Sequence, residues 1–328
     1  MGIGEIALFA LNATRPHAQR IADRLGVALC AHEEREFEDG EHKARPLESV
    51  RGKDAFLVQS LYADATQSVN DKLCRMIFFA AALRDAGAGR ITLIVPYLCY
   101  ARKERKTQPR DPVTSRYVAM LIESAGVDAV VTLDVHSLAA YQNAYRCRTE
   151  HISAQGLFVD HYSRRFAGQR ITVVSPDPGG IKRADRFRQA LERSLSTQVS
   201  LVTMEKRRAL GVLSGEHLAG DVEGSAAIII DDMIGTGATI ARAAAACRRA
   251  GADSVHAAAT HGLFLPGCVE HLGSAGLATV LVTDSVPPFR LVGSVMRDKV
   301  EVLDTSALLA DVVRCLHTDG SIVALMSP

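Results

Sequence analysis

The chain has 328 residues, 48% of them hydrophobic and 23% charged, with a formal net charge of +1, which leaves room for two ordinary domains with full cores. So even a balance supplies no global field for nucleic acid or an anionic membrane, and no window approaches eighteen uncharged apolar residues. Seven cysteines, widely separated, exclude the C-x-x-C spacing of zinc and redox sites and point to a reducing, cytoplasmic compartment.

In chain order, the opening stretch carries an apolar run with no basic region ahead of it and Glu5 inside it, which predicts a strand over 5–11 rather than a signal peptide. Further strands are expected at 54–60, 90–98, 128–135, 171–177, 226–232 and 277–284; several are apolar almost throughout, as parallel strands buried on both faces are. Leu73, Met76, Ile77, Ala80 and Leu83 repeat at helical spacing, with Asn70 as the expected N-cap and Gly87 as the stop. Val118, Leu121, Ile122 and Ala125 mark a second helix, Ile181, Ala184, Phe187, Ala190 and Leu191 a third, and Ile240, Ala243, Ala244 and Cys247 a fourth. A last helix (Leu308, Leu309, Val312, Val313, Leu316) has an apolar face expected to pack back on the first half. The alternation implies an α/β protein of mostly parallel sheets flanked by helices. Similar strand–loop–helix sets on either side of residue 150 suggest two like-built domains: 1–148, joined by the segment 305–328, and 149–304.

The loop IIIDDMIGTGATI (228–240) carries the sharpest chemical signal. Ligands of open parallel sheets bind beyond the carboxyl ends of the strands. Thr236, Gly237, Ala238 and Thr239 lead into a helix, where backbone N–H groups and the helix dipole favour a phosphate. Asp231 and Asp232 would repel that phosphate; they suit sugar hydroxyls, or magnesium reached indirectly. A sugar phosphate satisfies both demands, and the loop matches the phosphoribosyl-diphosphate (PRPP) loop of type I phosphoribosyltransferase-like proteins.

Other segments extend the likeness. They are FEDGE (37–41), SVRGKDAF (49–56), VND (69–71), the basic stretch VPYLCYARKERKTQPRDPV (95–113), DVH (134–136), VVSPDPGGIKRA (173–184) and KRR (206–208). In this order and spacing they resemble the ribose-phosphate diphosphokinases, the PRPP synthetases, from about residue 5 to the end of the chain. The resemblance implies two tandem type I phosphoribosyltransferase-like domains and transfer of the β,γ-diphosphoryl group of ATP to the C1 hydroxyl of ribose 5-phosphate, with Mg²⁺ as cofactor. It implies magnesium ligands at His136 and Asp177, a diphosphate-cradling turn at Asp177, Gly179 and Gly180, and transition-state cations at Lys206 and Arg208 on a mobile loop. Glycines 211, 215, 220 and 224 suit such a loop. It implies an ATP site at Phe37, Asp39, Glu41, Arg102, Lys103 and His136, the Phe37 hairpin reaching a neighbouring subunit. Homo-oligomers, hexamers by resemblance, follow. Ribose 5-phosphate would take Asp231, Asp232, Thr236, Gly237, Ala238 and Thr239.

Four positions depart from the family pattern. Gly235 stands where Asp is common, Lys103 where Gln is common, and Leu138 and Tyr141 where regulated forms carry Ser and Gln in an ADP and phosphate effector site; Arg110 and Ser321 of that site are retained. The expectation is weakened or altered ADP inhibition at that site. Two other readings compete: a phosphoribosyltransferase that consumes PRPP, which leaves FEDGE, DVH and KRR without a role, and a catalytically silent relative, which should lack His136, Lys206 or Arg208.

Overall fold

The computed structural model describes residues 4–209 and 212–325, with the side chains of 206–216 and 324 outside the description. In chain order the elements are β1 (Ile6–Ala10), α1 (Arg15–Leu25), β2 (His32–Glu36), β3 (His42–Pro46), β4 (Asp54–Val58), α2 (Val69–Asp85), β5 (Arg90–Val95), α3 (Thr114–Ser124), β6 (Ala129–Leu133), α4 (Leu138–Ala144) and β7 (Arg148–Ile152). They continue as α5 (Gln155–Arg165), β8 (Ile171–Ser175), α6 (Ile181–Leu195), β9 (Ser200–Ala209), β10 (Val212–Ala219), β11 (Ala226–Ile234), α7 (Ala238–Arg249), β12 (Ser254–Gly262), α8 (Cys268–Ser274), β13 (Thr279–Thr283), β14 (Val300–Leu303) and α9 (Ser306–His317). They fall into two units, Met1–Ser153 with Thr305–Ser327, and Ala154–Asp304.

The first unit is built on a parallel sheet in the order β1-β4-β5-β6-β7. Side chains alternate along each strand, so each strand feeds two cores. Ala7, Phe9, Leu57, Leu93 and Val95 meet Leu73, Met76 and Phe79 of α2 and Val118 and Ile122 of α3. Leu8, Ala10, Phe56, Val58 and Ile94 meet Ile21 of α1 and Leu309, Val312 and Val313 of α9 on the other face. The antiparallel pair β2–β3 stands apart as a two-stranded ribbon.

The second unit has the strand order β10-β9-β8-β11-β12-β13-β14, parallel except for the β9–β10 ribbon. Ile228 and Ile230 of β11 pack with Ala184, Phe187 and Leu191 of α6, whereas Ile229 packs with Ile240 and Ala243 of α7. The three isoleucines that begin the 228–240 motif therefore fill both layers around the sheet.

Several local expectations are corrected. The N-cap of α2 is Ser68, whose hydroxyl accepts from Asp71 N–H while Asp71 reaches back to Ser68 N–H; Asn70 lies in the first turn and its amide oxygen accepts from the Tyr100 hydroxyl. Leu121 is 52% exposed, because α3 buries the stripe of Val118, Ala119 and Ile122 and leaves its neighbour outside. Strand β12 (SVHAAATHG) was not anticipated: alanines replace the β-branched residues that mark a strand, and burial between β11 and β13 overrides that weak propensity.

One buried ion cluster closes the first unit. Asp54, fully buried at the start of β4, accepts from Arg90 Nε at 2.8 Å and Nη2 at 2.6 Å, and His317 Nδ1 lies 2.8 Å from its Oδ2. Arg90 also donates to the Leu316 carbonyl at 2.7 Å, so the end of α9 is tied to the sheet through one carboxylate. Removing one partner of a buried pair strands the other. Asp54→Ala is expected to lower the unfolding free energy by about 3–5 kcal/mol, measured by urea denaturation; a loss below about 1 kcal/mol would place the closure in α9 packing alone.

Candidate active site

The best-defined constellation lies at the carboxyl end of the second sheet. Strand β8 stops pairing with β11 at Val174↔Ile229, but β11 continues beside β12 to Ile234↔Gly262. Asp231 and Asp232 therefore sit inside β11, on a stretch whose β8 side is open. The chain leaving β8 turns there through Asp177–Gly180 into α6, and Arg183 of α6 reaches across. Its Nη1 lies 2.9 Å from Asp231 and its Nη2 3.2 Å from Asp232. Asp232 is buried and the Asp231 side chain is 18% exposed. Burial, first, and then the charge of Asp232 push the Asp231 carboxyl up, while Arg183 pulls it down. Arg183 was not singled out from the sequence. Its motif, GGIKRA, carries no sign of the acids that it meets across the gap.

The phosphate cradle follows. Gly237 caps α7 with φ +76 and no side-chain hydrogen bond to the first turn, so the N–H groups at the start of α7 are left to a ligand. A Cβ at Gly237 would lie 2.9 Å from Leu272 and 3.2 Å from Cys268 Sγ, so both conformation and space require glycine. At Gly235 a Cβ would meet only Leu265 Cδ1, at 3.7 Å. Thr236 is exposed, Ala238 and Thr239 are half-buried, and the Thr236 carbonyl is held by His271 Nδ1 at 2.8 Å. In the neighbouring turn Asp177 is exposed, and its Oδ1 accepts from Gly180 N–H at 2.9 Å; Gly179 is exposed and Gly180 buried.

Lys206 and Arg208 lie on β9, opposite Glu216 and Leu213 of β10; their side chains lie outside the described residues, as does Gly211. The expected closing loop is instead a long antiparallel ribbon, with a register shift between Leu213 and Glu216.

The first unit carries the remaining residues in three segments. Phe37, Asp39 and Glu41 are exposed at the tip of the β2–β3 ribbon, with the turn closed by Phe37 N–H to Glu41 carbonyl at 2.8 Å. The stem is fixed to α2 by Arg75, whose Nη2 lies 2.7 Å from Glu36, so a rigid base presents an open tip. Arg102 is exposed, but the Lys103 ammonium sits 2.5 Å from Asp111 and 3.2 Å from Thr107 Oγ1. Asp111 also accepts from the N–H groups of Thr107 and Gln108, and these donors hold its carboxyl well below the usual range. Lys103 therefore shapes its own loop and would have to leave Asp111 to touch a nucleotide. His136 is exposed between β6 and α4, in a turn framed by Asp134 at φ +31 and by Ser137, the N-cap of α4. His136 and Asp177 lie on different units.

Residues 6–126 match the model for the N-terminal domain of ribose phosphate pyrophosphokinase, and residues 190–327 match a phosphoribosyl synthetase-associated domain. The chain is similar to ribose-phosphate pyrophosphokinase 1 of Streptococcus pneumoniae (34% identity, covering 97% of this chain and 95% of the relative). It is also similar to the ribose-phosphate pyrophosphokinase of Hyphomonas neptunium (35%, covering 97% and 98%). A crystal structure of phosphoribosylpyrophosphate synthetase from Mycobacterium smegmatis superposes with a TM-score of 0.86 at 34% identity, covering 96% of this chain and all of that one.

The two loop glycines make opposite forecasts. Gly237→Ala is expected to cost about 1–3 kcal/mol and to abolish sugar-phosphate binding, whereas Gly235→Asp should keep the melting temperature of the parent. Thermal melts and ligand titration check both; a Gly237→Ala protein with parental stability would contradict the packing argument.

Proposed function

Because the chain belongs to the ribose-phosphate pyrophosphokinase family, we propose that its two units divide the reaction: the second receives ribose 5-phosphate, and the first supplies most of the ATP contacts. The reaction moves the β,γ-diphosphoryl group of ATP to the C1 hydroxyl of ribose 5-phosphate, giving PRPP and AMP. The observation that carries the residue assignment is the pairing of an acidic stretch of β11 with the open N-terminus of α7. Asp231 and Asp232 accept the ribose hydroxyls, while the N–H groups and hydroxyls from Thr236 to Thr239 hold the 5-phosphate. The turn at Asp177, Gly179 and Gly180 receives the diphosphate at the start of α6.

On the nucleotide side, Phe37 offers an exposed ring for the adenine, with Asp39 and Glu41 to accept from its exocyclic amine. Arg102 binds phosphate oxygens, and Lys103 joins it only by exchanging Asp111 for the nucleotide. Lys206 and Arg208, opposite charges to the migrating group, stabilise the charge that develops in flight. No covalent intermediate on the enzyme is needed; alignment and charge neutralisation supply the rate.

Mg²⁺ is the cofactor of this reading. Asp177 fits it: an exposed hard carboxylate with one oxygen committed to Gly180, beside a turn suited to phosphate. His136, exposed at the end of β6, would be the second protein donor. Held by these residues, the ion would supply neutralising charge to the diphosphate. Among the described residues no three His, Cys, Asp or Glu side chains gather into a cage. A homo-oligomer fits a ribbon whose tip stands clear of its own unit, and a cytoplasmic location fits seven cysteines that are all free. No helix among the described residues is long and apolar enough to cross a membrane.

Tyr141 bears on regulation. It is buried, its hydroxyl donates to the Val130 carbonyl at 2.7 Å, and its ring packs edge-on against Tyr145. A side chain used this way is withdrawn from any effector, so ADP should inhibit only by competing with ATP. Inhibition that is non-competitive with ATP and relieved by phosphate would overturn this.

The decisive assay is AMP formation from ATP and ribose 5-phosphate with Mg²⁺, which a silent relative or a PRPP-consuming transferase would not give. Lys206→Ala is expected to lower kcat by at least about 100-fold with the KM for ATP near parental; normal turnover in that variant would remove Lys206 from the chemistry.

A further inference from the structure

We propose that Arg183 is a positioning residue for the sugar: its guanidinium holds the two carboxylates of Asp231 and Asp232 in the arrangement that receives two ribose hydroxyls. This rests on the assignment of those carboxylates to ribose. The geometry carries it. One planar group spans both acids, at 2.9 Å and 3.2 Å, through two different nitrogens. A two-point contact of that kind fixes orientation as well as charge. A lysine could meet either acid, but one ammonium does not reproduce the fork.

The supports on either side are stiff. Arg183 projects from α6, whose Ala184, Phe187 and Leu191 belong to the same buried cluster as Ile228 and Ile230 of β11. The cation and the acids it grips thus stand on one core, and their separation is set by packing. Asp231 Oδ1 also accepts from the Asp232 N–H at 2.8 Å, which fixes the first carboxylate relative to the strand.

Arg183 also borders the phosphate side. A Cβ at Gly180 would lie 3.8 Å from Arg183 Nη1, so the guanidinium flanks the diphosphate turn while it holds the acids. Without it, two adjacent carboxylates, one of them buried, would repel each other, and one would be protonated or swing away. A protonated Asp231 would offer a donor where the ribose hydroxyl needs an acceptor. The charged groups that act on Asp231 are Asp232 and Arg183.

The test compares Arg183→Gln, Arg183→Lys and Asp231→Ala with the parent enzyme, by steady-state kinetics in each substrate and by thermal melts. Arg183→Gln is expected to raise the KM for ribose 5-phosphate roughly 10- to 100-fold, leave the KM for ATP within about twofold, and move the acidic limb of kcat/KM for ribose 5-phosphate to higher pH. Arg183→Lys should restore the position of that limb while recovering only part of the affinity, since it returns the charge without the fork. An unchanged KM for ribose 5-phosphate in Arg183→Gln, beside an impaired Asp231→Ala, overturns the role of Arg183 alone. Equal losses for both substrates with a lowered melting temperature also overturn it, in favour of a purely structural ion pair. Parental affinity in Asp231→Ala overturns the ribose assignment and this inference with it.

Discussion

A strand buried on both faces can carry adjacent carboxylates only where their charges find a partner, and the second unit is organised around one such place. Strand β8 ends at Ser175 while β11 runs on to Ile234. The shortfall opens one flank of β11 just after its three isoleucines. Into that gap go two carboxylates, the turn that follows β8, and the first turns of α6. The unequal strands thus leave an acidic, partly open stretch on a core element without any change of backbone class.

The same logic explains what could be read from residues and what could not. Apolar runs bounded by Asp, Gly and Ser located β1, β4, β5, β6, β8, β11 and β13, because parallel strands bury both faces and say so in every residue. β12 escaped because alanine is nearly silent about its neighbours. The ribbon of β9 and β10 escaped for the opposite reason: its polar, glycine-spaced residues read as a loop, and only cross-strand pairing makes them a ladder. In the candidate site, the residues assigned to a ligand, such as Asp231, Thr236 and Asp177, were legible because their types and spacing carry the motif. Arg183 was not, because its meaning lies in what it faces across a gap, a relation that no spacing along the chain records.

Lys103 and Tyr141 share a theme with Arg183. Each is a polar group whose partner lies within the fold: Asp111, the Val130 carbonyl, the acid pair. Comparison of residue types alone would treat the first two as altered ligand contacts. Their bonds show side chains recruited to hold a loop and a helix in place, which shifts the question from what they bind to what they stiffen.

The clasp at Asp54 has a consequence for how the molecule is made. The core face formed by Leu8, Phe56 and Ile94 needs α9, yet the whole second unit is synthesised between that sheet and that helix. During translation the first sheet therefore emerges with that layer covered by α1 alone and a buried aspartate whose partner His317 does not yet exist. The second unit, continuous in the chain, can close on its own while the first waits. The nascent protein presents an apolar sheet face to its surroundings for that interval, so its demand on chaperones should be set by the speed of elongation through residues 154–304 more than by its final stability.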